Sequence, residues 1–132
     1  MRLIITRHGR TLENVDRRVQ GQSPGTLSDE GKVQADKLGN RLKDEKISAI
    51  YTSDLKRASE TAEIVARYHP DALFFLSKDL RERDYASLVG KTWSEVDWKN
   101  IPDDVESPFE MEKRVTKILG EIYSKYKDKT IL

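Results

Sequence analysis

Three short segments hold the side chains best suited to chemistry in this chain. The first is Thr6-Arg7-His8-Gly9, directly after the apolar run Leu3-Ile4-Ile5. A neutral imidazole is a competent nucleophile toward phosphorus because its ordinary pKa is about 6.5. The guanidinium of Arg7 beside it suits phosphoryl oxygens, which it can grip in pairs. The same residues also fit a structural histidine at a strand end with a surface arginine. The second segment is Ser53-Asp54-Leu55-Lys56-Arg57-Ala58, followed by Thr61-Ala62. It places Arg57 in the first turn of an expected helix, the end that attracts anions and disfavours cations. An anionic ligand would explain that arginine; a solvated outer face is the plainer alternative. The third is Leu80-Arg81-Glu82-Arg83-Asp84-Tyr85. It offers a carboxyl group that could protonate a leaving alkoxide, with Glu82 the first choice and Asp84 the second. Taken alone, such a mixed-charge run is usually a solvated loop.

The elements that must position these segments alternate strand with helix. Leu3-Ile4-Ile5 reads as a strand covered on both faces, and the polar stretch over residues 10–26, broken by Gly21, Pro24 and Gly25, reads as a long loop. Ser28 caps a first helix, with Asp29 and Glu30 in its first turn and Gly31, Ala35, Leu38 and Leu42 along one face. Residues 47–52 form a second strand, and Ser53 and Asp54 open a second helix that ends before Pro70. Residues 72–76 form a third strand, and a helical turn is expected over residues 93–98. Ser107-Pro108-Phe109-Glu110 combines a capping box with proline at the first helical position, and starts a last helix through Met111, Val115, Ile118, Ile122 and Tyr126. The pattern predicts an α/β fold with a largely parallel sheet, whose ligands bind at the carboxyl ends of the strands. Thr130-Ile131-Leu132 opens a fourth strand, shorter than the usual five or so residues. The expectation is therefore a single domain over residues 1–132 that is incomplete at its C-terminus.

Composition removes several function classes. The 132 residues carry 24 basic and 23 acidic side chains, a net charge of +1, so no global field draws the chain to nucleic acid or a membrane. Absence of cysteine excludes a disulfide scaffold, a thiol nucleophile and a thiolate metal site. Asp103-Asp104 and the two histidines offer no metal-ligand spacing, and no glycine-rich nucleotide loop occurs. The expected setting is cytoplasmic, with no metal and no cofactor. His69 reads as a surface residue, and Trp93, Trp98 and Phe109 as packing for a lid or core edge.

Taken in order, these segments resemble the histidine phosphatase superfamily, the phosphoglycerate-mutase-like proteins. Arg7-His8-Gly9 is similar to the family's RHG signature, and Thr11 with Asn14 to the T-x-x-N that follows. Gln20-Gly21, Leu27-Ser28 and Gly31 with Gln34-Ala35 fit its loop and first helix. Ser53-Asp54-Leu55 with Arg57-Ala58 and Thr61-Ala62 fits S-x-L-x-R-A-x-x-T-A, Leu80-Arg81-Glu82 fits L-x-E, and Glu106-Ser107 with Arg114-Val115 fits the stretch leading into the last long helix. The resemblance implies a three-layer α/β/α fold of the phosphoglycerate mutase type, lacking its final strands in this chain. It also implies a metal-free site. His8 would carry the phosphoryl group as a phosphohistidine, and Arg7, Arg57 and Asn14 would hold its oxygens. Glu82 would be the proton donor, and Gln20, Gly21 and Tyr85 would face the rest of a small phosphorylated substrate.

Two departures stand out. Relatives carry a second active-site histidine in an S-H-G or T-H-G segment after the strand that here begins at Thr130, and His69 does not match it. The span between Glu82 and Ser107 lacks the paired arginines of cofactor-dependent mutases, which favours hydrolysis of a phosphomonoester over mutase chemistry. The alternative is a non-catalytic phosphate-binding module or an inactive truncated relative. No nucleic acid or membrane partner is expected, and a homodimer is left open.

Overall fold

The four apolar segments pair side by side into one parallel sheet. In the computed structural model, which describes residues 1–132, β1 (Arg2–Leu3), β2 (Ile47–Thr52), β3 (Leu73–Leu76) and β4 (Thr130–Ile131) take the order β1-β4-β2-β3. Register runs Leu3 to Ile131 between β1 and β4, and Ala49 to Leu73 through Thr52 to Leu76 between β2 and β3. β4 is two residues long yet sits inside the sheet, where Ala49 and Ile131 are both fully buried. Backbone bonds from Ile4 to Ile131 and from Tyr51 to Leu132 carry the ladder past the strand ends.

Alternation along the strands sends side chains to two faces, and helices cover both. On one face α4 (Pro108–Lys125) sets Ile118 and Ile122, with Tyr126 just beyond its end, against Ala49 and Ile131. Burying each of those isoleucines contributes about 1.5–3 kcal/mol. On the other face lie α2 (Asp29–Leu42) and α3 (Lys56–Ala66), where Ala62 meets Ile47 and Ile50 while Ala35, Ile64 and Leu27 join the two helices. The result is the three-layer α/β/α arrangement. The Ser28 hydroxyl accepts from the Gly31 amide, and Ser107 and Glu110 form a reciprocal capping box with Pro108 in the first turn, as the sequence predicts. Gly9 and Gly31 let two backbone segments touch. A Cβ on Gly9 would run into the Gly31 carbonyl, and one on Gly31 into the Arg10 carbonyl.

Several expectations need correction. The loop over residues 10–26 contains a short helix, α1 (Leu12–Val15), because Thr11 and Asn14 cap each other's backbone. The first strand is not covered on both faces: β1 is an edge strand paired only with β4, and Ile5 beyond it is 82% exposed. β3 is the other edge, which leaves Leu73 and Leu76 about half exposed. α3 starts at Lys56 with Leu55 before it and no side-chain cap, since the Asp54 carboxylate is taken by Arg81 at 2.5 and 2.6 Å. Residues 93–98 form no helix. Thr92 and Glu95 close a hydrogen-bonded turn, and Trp93 stacks on Trp98 at 4.6 Å with Tyr85 edge-on. This aromatic group adjoins a small core of Val19, Leu88, Val96 and Val105, on which Tyr85 packs. Phe109, in contrast, is 73% exposed and packs no core edge. His69 is not on the surface: it is 7% exposed at the end of α3, with no partner for Nε2. No helix is long and apolar enough to cross a membrane.

Candidate active site

His8, Ser53 and Glu82 follow the carboxyl ends of β1, β2 and β3, and the parallel sheet therefore delivers all three to one end of the molecule. There they line a cavity of about 510 Å³ together with Arg7, Arg57 and Thr61. The cavity continues over an apolar floor that includes Leu3, Ile5 and Leu119.

Arg57 is the centre of the arrangement. It is 1% exposed although it stands in the first turn of α3, so the solvated outer-face reading fails. Nη1 donates to the Ser23 carbonyl at 2.6 Å and Nη2 to the Gly21 carbonyl at 2.8 Å. Those two loop carbonyls replace the water that a buried guanidinium would otherwise lose. Gly25, at a φ of +68°, keeps the loop tight on the Arg57 side chain, where a Cβ would come within 2.8 Å of its Cδ. The Nε–Nη2 edge faces the cavity: Nε meets His8 Nε2 at 3.3 Å, and Nη2 meets the Glu82 carboxylate at 2.7 Å. Burial lowers the Arg57 pKa and the Glu82 charge opposes that shift, so the side chain remains a cation.

The contacts assign the tautomer of His8. A guanidinium can only donate, so the Nε2 that meets Arg57 carries the lone pair. The proton then lies on Nδ1, which donates to the Gly9 carbonyl at 2.7 Å. Burial pulls the imidazole pKa below its ordinary value; the Gly9 contact opposes this, and the charges of Arg57 and Arg7 reinforce it. At neutral pH the ring is uncharged, and its Nε2 lone pair is held by the Arg57 Nε–H. Thr61 steadies the pair, since its hydroxyl accepts from the Gly9 amide at 3.0 Å and donates to the Arg57 carbonyl at 2.7 Å.

Of the residues singled out in the sequence, His8, Arg7, Arg57 and Glu82 share this cavity. Asn14, Gln20, Gly21 and Tyr85 are not among its lining residues. The Asn14 side-chain oxygen caps α1, and the Gln20 side-chain oxygen accepts from the buried Thr11 hydroxyl. Gly21 acts through its carbonyl on Arg57, and Tyr85 lies against Gly21, near enough that a Cβ there would meet the Tyr85 amide nitrogen at 3.1 Å. Asp84 lines a different, acidic hollow with Asp103, Asp104 and Glu106. The residues to which sequence reasoning gave no part in the site are those gripping the Glu82 segment: Asp54, Gln22, Glu106 and Arg114. Asp54 stood in the sequence as the start of the second helix, and Glu106 and Arg114 as part of the stretch leading into the last one; Gln22 left no trace.

Comparison with known proteins agrees with the geometry. The family model of the histidine phosphatase superfamily (branch 1) matches residues 3–132. Phosphoglycerate mutase-like protein 4 of Arabidopsis thaliana is 34% identical over 146 residues, which covers 98% of this chain and 64% of the relative. The metal-independent phosphoserine phosphatase of the same plant is 40% identical over 96 residues, 70% of this chain and 40% of its own length. This chain thus spans less than two thirds of either curated relative. Among solved structures, Bacillus stearothermophilus YhfR superimposes with a TM-score of 0.91 at 32% identity, over 98% of this chain and 71% of that one. The alpha-ribazole phosphatase from Shigella flexneri gives 0.88 at 25% identity, over 100% of this chain and 72% of that one. With the family model matched almost end to end, the chain belongs to the histidine phosphatase superfamily, whose named relatives include phosphatases and phosphoglycerate mutases.

Proposed function

We propose that this chain carries a metal-independent phosphoryl-transfer site that hydrolyses a small phosphomonoester through a phosphohistidine on His8. The observation that carries this reading is the His8–Arg57 contact. It leaves a neutral imidazole with its Nε2 lone pair against the one buried guanidinium edge in the cavity. An incoming phosphoryl dianion takes that Nε–Nη2 edge, displacing the Glu82 carboxylate, while Arg7 at the exposed side adds a second positive charge. Asn14 caps α1 outside the cavity lining and would reach a bound phosphoryl group only with its free amide NH₂, and Gln20, Gly21 and Tyr85, also outside the lining, would meet the part of a leaving group that extends past the cavity.

The chemistry balances in two steps. His8 Nε2 attacks phosphorus in line, the P–O bond to the leaving group breaks, and Glu82, which takes up a proton from solvent once the phosphoryl group has displaced it from Arg57, gives that proton to the departing oxygen. The Glu82 carboxylate then takes a proton from water, whose oxygen attacks the phosphorus and breaks the P–N bond. Inorganic phosphate leaves, Glu82 gives that proton back to solvent as it pairs with Arg57 again, and the His8 imidazole is restored. Positioning and fixed charge do most of this work.

The test is hydrolysis of 4-nitrophenyl phosphate and of a primary alkyl phosphate in excess EDTA. The reading expects turnover that EDTA leaves unchanged, and its loss in His8→Ala. Phosphate binding without turnover in the parent chain would instead support a non-catalytic phosphate-binding module. Activity that survives in His8→Ala would reject the nucleophile.

A further inference from the structure

The proton donor proposed above sits on a segment with little structure of its own. After a 3-10 turn over Lys78–Leu80, residues 81–84 make no strand or helix, and the Glu82 side chain reaches into solvent with 39% exposure. Yet a general acid must be held within a few tenths of an ångström of its target, since a 1 Å misplacement can cost about 100-fold in rate. The segment is fixed from outside.

Arg114, on the second turn of α4, binds it by three carbonyls. Nη1 donates to Asp79 at 2.9 Å and Arg81 at 2.6 Å, and Nη2 donates to the carbonyl of Glu82 itself at 3.0 Å. The guanidinium is locked in turn by Glu106, through Nε at 2.6 Å and Nη2 at 2.8 Å. Glu106 also reaches the far side of the segment. Its carboxylate accepts from the Asp84 amide at 2.9 Å, its amide donates to the Asp84 carbonyl at 2.9 Å, and its carbonyl accepts from Arg83 Nε at 2.6 Å. Both side chains are largely buried, at 17% and 13% exposure, and neither lines the His8 cavity. Two residues outside the reaction therefore hold the backbone on both sides of Glu82.

We infer that Arg114, braced by Glu106, is a positioning residue that aims the Glu82 carboxyl at the leaving oxygen. The inference rests on the reading of Glu82 as the proton donor. It ties the last helix to the proton-transfer step and not to phosphate binding. A fork of five donors suits Arg114 because the three carbonyls and the carboxylate lie in different directions, which a lysine ammonium cannot span together.

The test exploits the leaving group. A primary alkoxide needs a proton as it departs, whereas 4-nitrophenolate leaves readily without one. A displaced acid therefore slows the first transfer, onto His8, from the alkyl phosphate and spares it from 4-nitrophenyl phosphate, while release by water is the same step for both. The measured quantity is the ratio of kcat/KM on the alkyl phosphate to kcat/KM on 4-nitrophenyl phosphate, which reports the transfer to His8 and not the shared release step, and in which the concentration of folded protein cancels. Arg114→Lys and Glu106→Gln should each lower that ratio about 10- to 100-fold, in the same direction as Glu82→Gln and by less. An unchanged ratio in both variants, whether or not overall activity falls, would overturn the inference, as would failure of both to fold, because the pair would then merely hold the fold together. If Glu82→Gln itself leaves the ratio unchanged, the assignment of the acid fails first, and that outcome is read independently of the clamp.

Discussion

Replacing Arg57 by alanine should be the most damaging single change in the site, and the structure gives its size. The guanidinium is the side-chain partner of the Ser23 and Gly21 carbonyls, at 2.6 and 2.8 Å, in a place where Arg57 itself is 1% exposed. Stranding a buried acceptor costs about 1–3 kcal/mol; the Gly21 contact is buried and the Ser23 one only partly, so the two together cost about 1–4 kcal/mol. The bond to Glu82 adds little to that figure, because the Glu82 side chain is 39% exposed and water can replace its partner. At this chain length each kcal/mol corresponds to about 3–5 °C, which puts the fall in Tm at about 3–20 °C. Arg57→Lys keeps the charge and can satisfy one carbonyl. It should recover about half of that loss while still weakening phosphate binding at least about tenfold, because one ammonium cannot replace a two-point grip. Thermal unfolding followed by circular dichroism and calorimetric titration with inorganic phosphate read the two effects separately. A Tm for Arg57→Ala within about 2 °C of the parent would refute the argument that these carbonyls depend on the guanidinium.

Two further expectations concern stability. Burial holds the pKa of His69 below its ordinary 6.5, so the unfolded chain binds the proton more readily than the folded one. The stability this group contributes is intact above about pH 6.5 and is lost as pH falls through the folded value. His69→Leu should therefore flatten the fall in Tm between pH 7 and pH 5, and the slope that remains belongs to His8, whose pKa is lowered in the same sense, and toward pH 5 to carboxylates such as Asp54 and Glu106 whose arginine partners lower theirs; an undiminished slope would contradict the burial argument. Gly31→Ala forces a Cβ against the Arg10 carbonyl, a backbone atom that cannot swing away. It should destabilise the protein by about 1–3 kcal/mol and weaken phosphate binding, since Arg10 is two residues from His8. A parent-like melting curve would show that the loop yields freely.

How much of this was legible in the sequence follows the range of the interactions. Ser28 and the Ser107–Glu110 box cap helices through amides three residues away, and their meaning is local. The sheet was legible in outline because apolar runs alternate with helical stripes, and the strand ends placed His8, Arg57 and Glu82 at its carboxyl end. What could not be read is burial decided by distant partners. Arg57 is held by carbonyls 34 and 36 residues earlier, which no spacing rule exposes. His69 looked like a surface residue beside Pro70, but it turns inward at the end of α3. Ile5 failed in the opposite direction. An apolar run suggests two covered faces, whereas β1 is an edge strand and leaves that side chain exposed. Asp54 was a reasonable helix cap until Arg81 arrived from 27 residues away to claim both carboxylate oxygens.

The claim that His8 is the nucleophile is tested most directly by trapping the phosphoenzyme. The protein is mixed with a ³²P-labelled phosphomonoester, quenched in alkali within milliseconds to seconds, and digested for mass spectrometry. The account expects label on the peptide containing His8, stable in base and lost in acid, and accumulating further in Glu82→Gln with 4-nitrophenyl phosphate, where release by water lacks its base. Label on any other residue, or turnover with no label on His8 at any time point, would contradict it.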